Sequence, residues 1–347
     1  MCGIFFYESH IELEDKIISQ TLKFLKKRGP DFQNYKHFKI NNKNYYLFHS
    51  RLAIIDSDIT SNQPLVSPDQ NIIIFNGEIF NFKSLRSDLI NKYKINFLTQ
   101  SDTEVILRGY EKEGTSFFDK LRGMFAFIIY DNKIQKFILA SDQQSIKFLF
   151  SYQGNEEYII SSEVSIIKNF LKNKLTINTK SIEQIITFGS VQECTSLYDE
   201  ISKFLPGYIY ENNIFNNENF IKLKKISKIQ FEIDLNNLIK ESFYSEAKSS
   251  LLYSGGSDSS FLLNEIKNLD NNNLYLTSLR TDKNFDSYFK IKHNIKNHDI
   301  EMDFNEIEKD FLNYPQLIDY PSDDGLNVFF ITCKISLKSF IEFSFDI

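Results

Sequence analysis

The chain opens Met1-Cys2-Gly3-Ile4, and this start constrains the fold more than any other stretch. Removal of Met1 leaves Cys2 with a thiol and a free α-amino group on one carbon. In model peptides the thiol titrates near about 8.5 and the amine near about 7.7–8.0, so the amine can take the thiol proton near neutral pH. A fold that uses this chemistry must begin inside a site. Gly3 to Tyr7 reads as a short buried strand with Cys2 at its exposed end. Met-Cys alone equally fits an ordinary start with a buried cysteine next to it. The rest of the chain decides between them.

At 347 residues the chain exceeds a single core, and two domains are expected. A net charge of −6 leaves no basic footprint, so nucleic acid is not an expected partner. Three cysteines, Cys2, Cys194 and Cys333, make neither a disulfide framework nor a metal cluster, and a reducing cytoplasm suits them. Cys194 and Cys333 read as buried packing residues. No apolar run approaches the roughly 18 residues that span a bilayer, so no membrane association is expected. A signal peptide is not expected either, since its cleavage would remove Cys2.

Asp15 to Lys27 shows helical spacing, and Gly29-Pro30 ends it in the turn Arg28-Gly29-Pro30-Asp31. Tyr45–His49 and Leu52–Ile55 read as strands interrupted by Ser50-Arg51. Asn71–Phe75 is a strand that runs into Asn76-Gly77-Glu78. A helix over Phe82–Tyr93 comes next, then one opened by Ser101-Asp102-Thr103-Glu104, a capping-box pattern. Met124–Tyr130 and Lys136–Ala140 read as a hairpin. Leu205-Pro206-Gly207 and the Asn-rich run Glu211–Asn219 mark a boundary. Beyond it come a helix over Phe231–Ala247, a strand over Ser249–Tyr253, a serine-glycine loop, the helix Phe261–Ile266 and a strand over Leu274–Leu279. That order opens a parallel α/β unit.

A cysteine attacking an amide needs donors for the oxyanion and an anchor for the charged end of its substrate. Asn76 and Gly77 offer a side-chain amide and an unshielded N–H. Such preorganised donors are worth about 2.7–4 kcal/mol each. Arg51 can hold an α-carboxylate by a bidentate pair, and Glu78 and Asp102 an α-ammonium. Together these residues describe a pocket for glutamine. Singly, Asn-Gly is also a hairpin turn, Arg51 a surface ion pair and His49 a structural histidine.

Met-Cys-Gly-Ile, Arg28-Gly29-Pro30-Asp31, His49-Ser50-Arg51-Leu52 with Asp56, Gln63-Pro64, Asn76-Gly77-Glu78-Ile79-Phe80-Asn81, Ser101-Asp102-Thr103-Glu104 and Gly123-Met124-Phe125-Ala126-Phe127 occur in order. This set resembles the class II glutamine amidotransferases of the glutamine-hydrolysing asparagine synthetase type. The resemblance implies a four-layer αββα N-terminal-nucleophile glutaminase domain over residues 1–210, with two stacked antiparallel sheets between helical layers. It implies Cys2 as nucleophile and Asn76 with Gly77 as oxyanion hole. Arg51, Glu78 and Asp102 would contact glutamine, with the backbone of Leu52, Ala53, Ile54 and Ile55 lining its site. One stretch departs from the family pattern. Where the family has Arg-Asp followed by Gly and Lys-Pro-Leu, this chain reads Ser141-Asp142-Gln143-Gln144-Ser145-Ile146-Lys147-Phe148, which bears on coupling between domains more than on amide hydrolysis.

Ser254-Gly255-Gly256-Ser257-Asp258-Ser259-Ser260 lacks the lysine of a γ-phosphate-transferring loop. Glycines between a strand and a helix still present N–H groups and a positive dipole end to an anion. Serine hydroxyls add donors, and Asp258 can hold Mg²⁺. Pyrophosphate is then the leaving group, which suits adenylation of a carboxylate. The loop resembles the pyrophosphate loop of the same family, and the resemblance places Leu252 and Ser278 against ATP. The implied reaction activates aspartate with ATP, and ammonia then displaces AMP to give asparagine. A linker over 211–228 and a partial PP-loop ATP pyrophosphatase domain over 229–347 are expected, with Pro321–Asn327 resembling a further stretch of it. The likeness fades after Lys334, so an incomplete domain and weak asparagine formation are expected. The expected partners are glutamine, aspartate and ATP, and the sequence leaves open whether the chain forms a homodimer. Two other readings remain at this point: an amidotransferase acting on a sugar, and a remnant retaining only glutaminase or binding activity.

Overall fold

The computed structural model describes residues 2–172, 175–191, 195–211, 214–219, 227–242, 249–253, 256–266, 274–280 and 296–301. The chain divides into two units, one of residues 1–184 with 191–224 and one of 185–190 with 225–347. The elements up to residue 219 run β1 (Gly3–Ser9), α1 (Asp15–Leu25), β2 (Phe32–Ile40), β3 (Lys43–Arg51), β4 (Leu65–Val66) and β5 (Ile72–Ile79). Then come α2 (Phe82–Tyr93), α3 (Asp102–Glu113), β6 (Gly123–Asp131), β7 (Lys136–Ser141), β8 (Phe150–Gln153) and β9 (Glu157–Ser161). The helices α4 (Val164–Leu171) and α5 (Thr179–Phe188) and the strands β10 (Ile201–Lys203), β11 (Tyr208–Glu211) and β12 (Ile214–Asn219) complete this run.

The strands form two six-stranded antiparallel sheets, ordered β10-β8-β9-β1-β3-β2 and β12-β11-β7-β6-β5-β4. Successive side chains of a strand point to opposite faces, so a sheet covered on both sides needs apolar residues at nearly every position. Gly-Ile-Phe-Phe-Tyr of β1 meets this demand. Ile4 and Phe6 join Leu47, Ile72, Ile74, Ala126, Ile128 and Leu139 in the layer between the sheets. Phe5 and Tyr7 face the other way, and both pack on Phe170 of α4. On the far side of the second sheet, Ile73, Phe75, Phe125 and Phe127 pack with Leu85 and Leu89 of α2 and Val105 to Leu107 of α3. Each fully buried side chain of this size contributes about 1.5–3 kcal/mol. Helix, sheet, sheet, helix is the four-layer arrangement expected.

Three local readings differ from the sequence-based ones. Strand β3 runs unbroken through Ser50 and Arg51, because Ser50 pairs with Gly3 and its hydroxyl donates to the Leu25 carbonyl at 2.7 Å. Leu52–Ile55 is consequently a bend after the strand rather than a strand. Asn76, Gly77 and Glu78 lie within β5, opposite Ala126, Phe125 and Met124, and not beyond a strand end. Residues 214–219 of the expected linker form β12, which pairs with β11. An edge strand needs a partner on only one side, so an Asn-rich sequence is tolerated there.

In the second unit α6 (Lys228–Ser242) precedes β13 (Ser249–Leu252), α7 (Ser257–Ile266), β14 (Leu274–Arg280) and β15 (Lys296–Glu301). The three strands pair in parallel in chain order. Helix α7 starts at Ser257, earlier than its apolar spacing indicates, with Ser260 N–H donating to the Gly256 carbonyl at 3.0 Å.

Candidate active site

One parity places the first site. Ile4 and Phe6, Leu47, Ile72 and Ile74, and Ala126 and Ile128 all face the inter-sheet layer. Carried on in steps of two, the same faces present Cys2, His49 and Arg51, Asn76 and Glu78, and Met124. These positions fall at the same end of the layer, because β1 and β6 begin there while β3 and β5 finish there. A cavity at this end is lined by Cys2, Arg51, Asn76, Gly77, Glu78 and Asp102, together with Leu52, Ile54 and Ile55.

The turn Arg28-Gly29-Pro30-Asp31 fixes Cys2. Arg28 Nε–H donates to the Cys2 carbonyl at 2.9 Å, and its Nη1 pairs with Glu163 at 2.7 Å. A Cβ on Gly29 would meet backbone atoms of Ser50 and Arg51 at 2.4–2.5 Å, so only glycine fits. Asp31 accepts the Ala53 N–H at 2.8 Å and donates its own N–H to the Arg51 carbonyl at 3.1 Å. The bend after β3 thereby reaches the thiol. Leu52 N–H donates to Cys2 Sγ at 3.4 Å, while the Sγ–H points to the Leu52 carbonyl at 3.7 Å. Burial pushes the thiol pKa up, and the Leu52 N–H partly offsets it.

Strand β4 begins only at Leu65, opposite Ile73, leaving the later residues of β5 without a strand neighbour on that edge. Side chains take its place. Phe75 N–H donates to Gln63 Oε1 at 2.6 Å, and His49 Nε2–H donates to the Phe75 carbonyl at 3.1 Å. Four positions on, Ile79 N–H donates to Asp102 Oδ2 at 3.0 Å. By strand alternation the Gly77 N–H between them faces the same edge. Gly77 has φ +153°, and a Cβ there would meet the Met124 carbonyl oxygen at 2.1 Å, so this is again a position for glycine alone. Asn76 is 1% exposed, and among the described residues neither atom of its side-chain amide has a hydrogen-bond partner. A buried amide left this way costs about 1–3 kcal/mol.

Asp102 opens α3 behind the cap Ser101, whose Oγ accepts the Glu104 N–H at 3.3 Å. The capping box is only half made, since Glu104 turns its carboxylate to the N–H groups of Leu98 and Thr99. Burial raises the Asp102 pKa to about 7, against the Ile79 N–H and with help from the Glu78 charge. Glu78 is also raised, by its own burial, and Lys147 opposes that shift. His49 is fully buried and its pKa falls to about 3 for the same reason, which makes it a neutral donor between the sheets.

Arg51 lines the cavity and also braces the loop after β3. Its Nη1 donates to the Asp58 carbonyl at 2.8 Å and to Asn62 Oδ1 at 2.7 Å, and its Nη2 donates to the carbonyls of Asp56 and Ile55. The loop carbonyls turn inward onto the guanidinium. Ala53 is exposed and does not line the cavity. Motif reading passed over Gln63, Thr103 and Lys147, although each lines the cavity. Gln63 lay in a quoted motif, and its amide bridges Phe75 and Thr103 Oγ1, the latter at 3.2 Å.

In the second unit Gly256 and Asp258 are exposed, and Ser259 and Ser260 half-buried, at the start of α7. Leu252 ends β13 opposite Thr277, and Ser278 lies in β14 opposite Asp299. Ser257 Oγ donates to Asp258 at 3.1 Å. Among the described residues no group of three or more His, Cys, Asp or Glu is placed to hold a metal. Mg²⁺ commonly takes one or two carboxylates and keeps waters or phosphates, so Asp258 alone suits an ion carried by a phosphate. Ser254, Gly255, Cys194, Cys333 and Pro321–Asn327 lie outside the described residues.

Comparison with known proteins gives these features a family. Residues 1–222 match the model of the glutamine amidotransferase domain. The chain is 31% identical over 269 residues to glutamine-hydrolysing asparagine synthetase 1 of Bacillus subtilis, covering 73% of this chain and 41% of that protein. Asparagine synthetase 2 of the same organism is 34% identical over 197 residues, 55% of this chain and 25% of the relative. Asparagine synthetase B of Escherichia coli is 32% identical over 173 residues, 48% and 30% respectively. The chain thus spans less than half the length of these curated relatives. The family match takes in Cys2 just ahead of β1 and ends just past β12, covering both six-stranded sheets, and the chain belongs to the glutamine amidotransferase domain family.

Proposed function

We propose that the first unit hydrolyses glutamine to glutamate and ammonia with Cys2 as the nucleophile. The observation that carries this reading is the Asn76 amide, buried in the wall of the cavity that Cys2 lines and with neither polar atom partnered among the described residues. An amide kept idle at a cost in stability is a preorganised donor for charge that develops only during reaction. With Met1 removed, the α-amino group of Cys2 takes the thiol proton. Sγ attacks the side-chain amide carbon of glutamine, and Asn76 Nδ2–H with the Gly77 N–H stabilises the oxyanion. As the tetrahedral species collapses the carbon–nitrogen bond breaks, and the amine returns its proton to the departing ammonia. Water then attacks the thioester, releasing glutamate and restoring the thiol. Asp102 and Glu78 hold the substrate ammonium, and the Arg51 charge favours its carboxylate.

For the second unit we propose that this ammonia amidates aspartate activated by ATP. Support comes from the names of the relatives and from the strand, serine-glycine loop and helix over residues 249–266. Ser259, Ser260 and the Gly256 backbone would hold pyrophosphate, and Asp258 would share Mg²⁺ with it, the ion neutralising phosphate charge.

The test is glutamate release from glutamine by purified protein, with Cys2→Ala alongside and the N-terminus read by mass spectrometry. Activity is expected only from protein lacking Met1 and retaining Cys2. An active Cys2→Ala variant, or full activity with Met1 retained, would overturn the reading. Pyrophosphate release with aspartate, ATP and Mg²⁺ tests the acceptor step separately.

A further inference from the structure

We infer that Lys147 is the electrostatic residue of the glutaminase cavity, placing a buried ammonium where the Cys2 thiolate forms. The inference rests on the reading of Cys2 as nucleophile. Lys147 lines the cavity that holds Cys2, Asn76 and Glu78, and it is only 6% exposed. A buried lysine is expensive unless something nearby gains from its charge.

Its position is built rather than incidental. Asp142, itself 2% exposed, accepts N–H groups from Gln144 and Ile146 on one oxygen, at 3.0 and 2.9 Å. The other oxygen accepts from Phe125 and from Lys147 itself, both at 3.1 Å. Asp142 N–H in turn donates to the Phe125 carbonyl at 2.8 Å, and the Gly207 N–H donates to the Asp142 carbonyl at 3.1 Å. One carboxylate thus winds the loop 142–147 tightly onto β6, next to Met124 at the cavity wall, and the loop delivers Lys147 there.

The charges that face Lys147 are those of Arg28, Asp142, Cys2 and Glu78. Burial and the Arg28 charge press its pKa down, while Asp142, Cys2 and Glu78 press it up. Besides Lys147, the charges acting on Cys2 are those of the amino terminus, Asp102 and Arg51, and Asp102 disfavours the thiolate. The Arg51 Nη groups donate to the Asp58 and Asp56 carbonyls and to Asn62 Oδ1. Lys147 therefore offsets the cavity carboxylates that the substrate ammonium requires but the thiolate does not. In the free protein Glu78 and Asp102 would otherwise oppose formation of the nucleophile.

The test measures alkylation of Cys2 by iodoacetamide against pH, with the modified N-terminal peptide quantified by mass spectrometry. Lys147→Met and Lys147→Gln are compared with the parent and with Lys147→Arg. The midpoint for alkylation is expected to rise by about one pH unit in the neutral variants, since one lost charge contact shifts a thiol by about that much. Their kcat/KM for glutamine at pH 7 should fall about tenfold, and arginine should restore most of both. An unmoved midpoint in whichever neutral variant keeps the parental melting temperature overturns the inference. A glutaminase still active as Cys2→Ala would instead overturn the nucleophile assignment, so the two failures are distinguishable.

Discussion

The layer between the two sheets has two halves of opposite character, built by the same strands. In one half Ile4, Leu47, Ile74 and Ile128 meet side chain to side chain. In the other, one alternation further along β1, β3 and β5 and two along β6, stand Cys2, His49, Asn76 and Met124. Burial does not separate them, for Ile74 is 0% and Asn76 1% exposed. What separates them is partnership. Ile74 gains from every neighbour, whereas the Asn76 amide has no hydrogen bond among the described residues. The first half holds the second in place, and the second is tolerated because the first is so well packed.

The largest break in this comparison is Cys2→Ala. Glutamate release should fall about 10⁴-fold or more, with an unchanged melting temperature. The next is a pair two residues apart on one strand. Ile74→Ala should destabilise the protein by about 2–5 kcal/mol in chemical denaturation while leaving KM near the parental value. Asn76→Ala should lower kcat by about 10²–10³-fold and leave stability unchanged or higher. Reversal of that pattern would erase the distinction between the halves.

Asp102→Asn should raise KM for glutamine about 30-fold or more while changing kcat less, because holding an ammonium is a contact made in ground and transition states alike. Steady-state kinetics over a wide glutamine range reads both constants.

The same residue sharpens the comparison through pH. A carboxyl whose folded pKa is raised from 3.8 to about 7 contributes stability below pH 4, and loses it as pH rises through 7. The stability difference between parent and Asp102→Asn should therefore shift against the parent between about pH 4 and 7, and level off above. His49 works in the other direction. Its pKa falls from 6.5 to about 3, so its contribution is lost as pH drops through that window. Differences between variants, rather than parental curves alone, isolate each group. The smallest effect expected is Lys43→Ala, which removes a pair with Glu8 from a lysine 41% exposed and should cost at most about 1 kcal/mol.

Much of the first unit is legible in the sequence, because strands buried on both faces leave apolar runs such as Ile72-Ile73-Ile74-Phe75. The strand β2 was not legible. It lies at a sheet edge, where Phe-Gln-Asn-Tyr-Lys-His need satisfy only one partner and one face. The motif Asn76-Gly77 reads as a turn in isolation, and only the pairing with β6 shows it to be strand. Arg51 was legible as a cation of the site but not as the residue that gathers the carbonyls of residues 55–58, since backbone acceptors carry no sequence signal. Lys147 was hidden because its surroundings depart from the family pattern, while Asp142 keeps the loop wound without them.

The grip of Arg28 on Cys2 has a practical side. Arg28 holds the carbonyl of that residue, not its thiol and not its amine. A handle that ignores both reactive groups secures them equally well before and after the preceding residue is trimmed. Fusing an affinity tag ahead of Cys2 should thus leave its carbonyl held by Arg28 while blocking the amine, and glutamate release should be lost. Whoever purifies it should carry the tag at the other end.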